Sequence, residues 1–172
     1  MSVAFVKEPN EDQVEVLPDR EIGTEANLVT SRGLALINAT IGELEAKLDP
    51  ARAAGDKIAI ATINRDLRYW TARHATAELV VPDEEAETVQ FGSRVEIERE
   101  NGQRQAYRIV GIDEADPAHG RISYLSPLAR NLVGKAIGEE VSAGATVGEI
   151  VAISAEPEAS DAVEDDQPDV SR

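Results

Sequence analysis

The chain has 172 residues, with 33 Asp+Glu against 17 Lys+Arg, two His, no Cys and only one Trp, three Tyr and two Phe, for a formal net charge of -16. That length holds one domain or two small ones, and the lack of Cys excludes a disulfide framework, while two His argue against a zinc site. So acidic a chain is no generic nucleic-acid binder, because phosphate contacts need clustered Lys and Arg.

The acidity concentrates at the ends. Residues 1–27 hold seven acids against Lys7 and Arg20, and residues 154–172 hold seven against Arg172, which leaves -5 on residues 28–153. Both ends are poor in aromatic and periodic apolar residues and contain Pro9, Pro18, Pro157 and Pro168. Such segments bury too little surface to offset ordering entropy, so 1–27 and 154–172 are expected to be disordered acidic tails. No apolar run approaches the roughly 20 residues needed to cross a bilayer, and Met1 to Val6 lacks a basic signal-peptide region. A cytoplasmic protein that does not enter the membrane is expected.

Residues 28–82 predict an antiparallel coiled-coil hairpin. Leu34, Ile37, Ile41, Leu44 and Leu48 step by three and four, as do Ile60, Ile63, Leu67, Trp70, His74 and Ala77. That spacing buries a narrow seam against one partner helix. Thr30 or Ser31 is a candidate N-cap, and Pro50 with Gly55 is expected to break the first helix and reverse the chain. Helices of about 18 and 22 residues would form a rod on the order of 30 Å long at 1.5 Å per residue.

After an acidic linker over 83–88, the period changes to two. Val89, Phe91, Val95 and Ile97 alternate with polar residues, and Glu100-Asn101-Gly102-Gln103 predicts a type I′ hairpin turn. Tyr107 and Ile109 continue on the returning strand, and 113–120 reads as a loop. Strands are expected over 121–125 and 147–153. Between them Ser126 or its neighbour is expected to cap a short helix with Pro127 at its first position, Leu128, Leu132 and Val133 inward, and Gly134 at its end. Residues 89–153 thus read as a small β-rich domain with one short helix, giving an α+β chain overall.

Motifs of self-contained catalysis are absent: there is no G-x-S-x-G, H-E-x-x-H or C-x-x-C, and Gly134-Lys135-Ala136 lacks the remainder of a P-loop. His74 reads as a seam residue and His119 as a turn residue beside Asp116. The leading class is a non-enzymatic interaction protein.

Specific residues carry a resemblance. Thr30-Ser31-Arg32-Gly33-Leu34 resembles the T-x-x-G-L that opens the first helix of bacterial Gre-type transcription elongation factors. Phe91-Gly92-Ser93-Arg94-Val95, Tyr107-Arg108-Ile109-Val110-Gly111, Glu114-Ala115-Asp116-Pro117, Gly120-Arg121-Ile122-Ser123 and Ser126-Pro127-Leu128-Ala129 through Leu132-Val133-Gly134-Lys135 resemble, in order, signatures of that family's C-terminal domain. The resemblance covers about residues 29–153. It implies an FKBP-like C-terminal domain that binds RNA polymerase at the rim of its secondary channel. The hairpin would point toward the polymerase active site, where an acidic pair at its tip helps hold a second Mg²⁺ during cleavage of backtracked RNA. Nucleic acid would be met only through the elongation complex, by a monomer with no cofactor of its own.

The tip departs from that pattern. Gly55-Asp56 matches its start, but Ala59 stands at the second acid, and the hairpin is shorter by roughly two dozen residues, on the order of 15 Å of reach. Asp56 is therefore a metal-ligand candidate only within a polymerase complex. Two readings stand: Asp49 and Asp56 cluster across the turn, or Asp56 simply caps the second helix. Candidate polymerase contacts are Asp113, Glu114, Asp116 and Pro117 in one loop and Ser126, Pro127 and Arg130 in another, because connections carry recognition more often than strands. The alternatives are a cleavage-inactive regulator that competes with Gre factors, resembling regulators of nucleoside diphosphate kinase, and a prolyl isomerase. The latter rests on the implied fold alone, with Phe91, Tyr107 and Tyr124 as its only aromatics.

Overall fold

The computed structural model describes residues 17–143 and 146–156. Strand β1 (Leu28–Val29) leads into helix α1 (Ser31–Ala53), which is followed by α2 (Lys57–Ala75) and β2 (Glu78–Leu79). The second part comprises β3 (Arg94–Arg99), β4 (Arg104–Val110), a 3-10 turn (Pro117–His119), β5 (Arg121–Ser123), α3 (Pro127–Leu132), β6 (Glu140–Ala143) and β7 (Thr146–Ser154). Helix and sheet are thus both present and segregated.

Helices α1 and α2 pack against each other as a hairpin. Thr30 caps α1 by accepting from the Gly33 N–H, and Asp56 caps α2 by accepting from the Ala59 N–H. Pro50 does not break the first helix as expected; α1 runs 23 residues and keeps Pro50 inside its last turn. Only three residues, 54–56, separate the helices, and Gly55 takes the left-handed φ of +65° that turns the chain. Ile37 and Ile63 are the buried members of the predicted seam, while Leu34, Ile41, Leu44, Leu48, Ile60, Leu67 and Trp70 are half-buried. His74 is exposed rather than in the seam, and its neighbour Arg73 is buried instead. Near its end α2 faces the loop after β4, where Asp113 pairs with Arg73.

The five-stranded sheet has the order β5-β4-β3-β7-β6, with β4 and β5 parallel and the other neighbours antiparallel. Alternation puts Val95 and Ile97 of β3 inward, where they join Val89, Ile109, Ile122, Val141 and Ile150 in one core. Helix α3 closes that core with Ala129 and Leu132, both fully buried. Val133, expected inward, is 49% exposed because the helix ends at Leu132 and the backbone turns away. The β3–β4 connection is not type I′. The Gly102 N–H donates to the Arg99 carbonyl, Arg99 and Gln103 pair, and Gly102 takes a φ of +77° while no non-glycine residue among the described residues has positive φ. That is a three-residue loop, a type I turn followed by a left-handed glycine. The antiparallel pair β6–β7 includes a strand that the sequence pattern did not reveal.

Residues 17–27 depart from the expectation of an acidic disordered tail. Asp19 pairs with Arg68, Arg20 lies over Tyr69, and Asn27 is buried against the end of α2. Leu28 and Val29 pair in parallel with Glu78 and Leu79. One acid here, Asp19, is matched by Arg68 of α2, a tertiary compensation that composition does not reveal. The expected tail segments 1–16 and 157–172 lie outside the described residues.

Candidate functional site

Two regions hold the polar side chains singled out by sequence: the hairpin tip and the joint between hairpin and sheet. At the tip, Asp49 accepts from Arg52 at 3.2 Å, one helical turn on, and both side chains are largely exposed. Asp56 accepts the Ala59 N–H at 3.0 Å, which satisfies one of the N–H groups that a helix start leaves open. The two carboxylates therefore serve separate local partners. Among the described residues no group of three or more His, Asp or Glu is placed to hold a metal ion. Ile58 is 76% exposed in the first turn of α2, so an apolar side chain stands where the tip is most open.

The joint is denser. Glu114 is buried, with 1% of its side chain exposed, and its Oε2 accepts the Thr30 hydroxyl at 2.5 Å. Its Oε1 receives Arg32 Nη1 at 3.4 Å and lies 4.0 Å from Arg121 Nε. Thr30 thus acts twice, capping α1 through its oxygen and donating to Glu114 through its proton. The adjacent Asp113 is also taken: Oδ1 accepts the Tyr69 hydroxyl at 2.5 Å and Oδ2 accepts Arg73 Nε at 2.6 Å. Burial, followed by the hydrogen bond to Asp113, holds the Tyr69 hydroxyl above its ordinary pKa of 10.0. Asp113 and Glu114, two of the candidate surface contacts, are instead carboxylates that tie both helix ends to the sheet domain.

The remaining candidates are shallower. Asp116 leads the 3-10 turn, exchanges backbone hydrogen bonds with Arg121, and has its carboxylate 2.6 Å from His119 Nδ1. That imidazole contact is the main cause of its lowered pKa. Pro117 and Pro127 are exposed at the first positions of their turns, Ser126 caps α3 by accepting from Ala129 N–H at 3.2 Å, and Arg130 is exposed. Of the seven proposed contacts, Pro117, Pro127 and Arg130 present the most surface. Phe91, Tyr107 and Tyr124 pack against the core, with Phe91 and Tyr124 edge to face at 5.9 Å.

Sequence reasoning missed Arg73, Tyr69 and Asn27. Arg73 adjoins the predicted seam position His74; the available signal was its place at the end of α2, shortly before the acidic linker 83–88.

Thr30 and Gly33, from one motif, meet Glu114, from another 84 residues away. A family profile described as "Transcription elongation factor, GreA/GreB, C-term" matches residues 73–155. Transcription elongation factor GreA of Acidiphilium cryptum is 33% identical over 141 residues, which span 70% of this chain and 90% of that relative. The chain belongs to the GreA/GreB family.

GreB of Neisseria meningitidis serogroup B is 43% identical to this GreA/GreB-family chain over 81 residues, 46% of this chain. The match spans about half the length of that GreB, 50%. Among solved structures, GreA/GreB from Nitrosomonas europaea matches with 25% identity over 74% of this chain and 98% of that one, at a TM-score of 0.38.

Proposed function

We propose that this GreA/GreB-family chain binds RNA polymerase at the rim of the secondary channel through residues 89–153, directs its helical hairpin inward, and modulates elongation without stimulating transcript cleavage. Family membership supports the kind of partner. The observation that carries the second half is the tip. Asp56 is committed to the α2 N-cap, Asp49 to Arg52, and Ala59 occupies the position of the second acid. A hard divalent cation needs several oxygen ligands, and one capping carboxylate beside an exposed isoleucine does not furnish the pair that would share the Mg²⁺ of the polymerase. On this reading the protein is no enzyme, carries no cofactor, acts as a cytoplasmic monomer and meets nucleic acid only through the elongation complex. An FKBP-like fold of the sheet domain belongs to the same proposal.

The test is co-sedimentation with core RNA polymerase, followed by RNA cleavage in stalled complexes and displacement of a cleavage-competent Gre factor. Binding with displacement and without added cleavage is the expected result. Failure to bind polymerase overturns the assignment, and stimulated cleavage overturns the reading of the tip. Asp56→Ala is expected to destabilise the hairpin by about 0.5–2 kcal/mol through loss of the cap, while leaving the effect on cleavage at zero.

A further inference from the structure

The hairpin is a rod attached to the sheet domain at one end, so its direction depends on the few residues that span the joint. Residues 17–29 reach both sides. Toward the hairpin, Asp19 accepts from Arg68 Nε and Nη2 at 2.9 and 2.6 Å. The Arg20 guanidinium lies 3.7 Å above the Tyr69 ring and 5.6 Å from that of Trp70, a cation over two aromatic faces. Asn27, 4% exposed, donates its amide to the Arg73 carbonyl at 2.7 Å and to Thr76 Oγ1 at 3.1 Å. The Arg73 carbonyl is among the last four of α2, which the helix itself leaves unpaired.

Toward the sheet domain, the Tyr124 hydroxyl donates to the Ala26 carbonyl. The Leu28 carbonyl runs so close to Gly111 that a Cβ there would stand 2.4 Å from it. Tyr69, the ring beneath Arg20, is itself bonded to Asp113 of the sheet domain. One stretch of thirteen residues therefore fastens α2 to the sheet domain from the outside, while Asp113 and Glu114 fasten them from within.

We infer that residues 17–29 form an intramolecular clasp that sets the direction of the hairpin relative to the five-stranded sheet. Its attachments are graded. The Asp19–Arg68 pair is exposed, 70% and 54%, and exposed pairs contribute little. Asn27 and the β1–β2 pairing are the firm end, so the clasp opens from Asp19 inward. The inference concerns the isolated chain and does not depend on polymerase binding.

The chain contains no Cys, so a variant carrying Ala53→Cys, at the tip end of α1, and Asn131→Cys, exposed on α3, accepts spin labels at those two sites alone. Dipolar electron resonance then reads the distance between hairpin tip and sheet domain. A single narrow distribution is expected for the full chain. Truncation of residues 1–26, and independently Asn27→Ala with Tyr124→Phe, which removes an attachment on each side, is expected to broaden or displace it. The point variant keeps every core ring and decides the matter if the truncated chain does not fold. A distribution unchanged by the point variant and, where it folds, by truncation overturns the clasp.

Discussion

Gly33 and Glu114 are in steric register: a Cβ built on Gly33 would stand 2.7 Å from Oε2 of Glu114. The glycine is thus the opening through which a buried carboxylate reaches the cap of α1. Gly33→Ala is expected to push the carboxylate off the Thr30 hydroxyl and destabilise the protein by about 1–3 kcal/mol, the penalty for a buried polar group that loses its partner. Urea denaturation checks this. Combined with Glu114→Ala, the loss is expected to be less than the sum of the two single losses, because both act on one contact.

Two arginines of α2 should behave differently. Arg73 and Asp113 retain only 4% and 11% side-chain exposure, so Arg73→Ala leaves a carboxylate buried without its cation, expected to destabilise by about 3–5 kcal/mol. Arg68 pairs with Asp19 at the surface, and Arg68→Ala is expected to change stability by about 1 kcal/mol or less. Denaturation midpoints of the two variants, measured side by side, test the contrast.

The joint should also loosen in alkali. The Tyr69 hydroxyl is held above 10.0 in the folded chain, so the unfolded chain releases this proton first as pH rises. Its contribution to stability is full below pH 10.0 and is lost as pH climbs through the raised folded value. Unfolding measured from pH 8 upward is expected to show an alkaline decline that Tyr69→Phe reduces. An identical decline in both proteins would show that the Tyr69–Asp113 bond is not its source.

Much of the fold was legible because periodicity reports burial directly. The three-and-four steps of Leu34 to Leu48 and Ile60 to Trp70 gave two helices, and the alternation of Val95 and Ile97 gave a strand facing one core. Pro50 misled because it forfeits only its own N–H bond: the residues after it stay helical, and the Ala54 N–H donates back to the Pro50 carbonyl at 3.0 Å. The Asn101-Gly102 turn misled because Gly102 alone takes positive φ, which adds a residue to the loop. His74 misled because the helical phase says which residues share a face, not where a second domain replaces the partner helix.

The candidate site divides in the same way. That Asp56 begins α2 and that Ala59 stands where the resemblance puts an acid are properties of neighbouring residues, readable from the chain alone. So were the motifs around Thr30 and Glu114, each in its own segment. Only the tertiary structure decided that these motifs touch, that Asp113 and Glu114 point inward at arginines and hydroxyls, and that residues 17–27 lie against Arg68, Tyr69 and Arg73. Local propensity follows from spacing along the chain, whereas the partner of a carboxylate is chosen by which distant side chains the packed helices and sheet bring within about 3 Å, the range of a hydrogen bond.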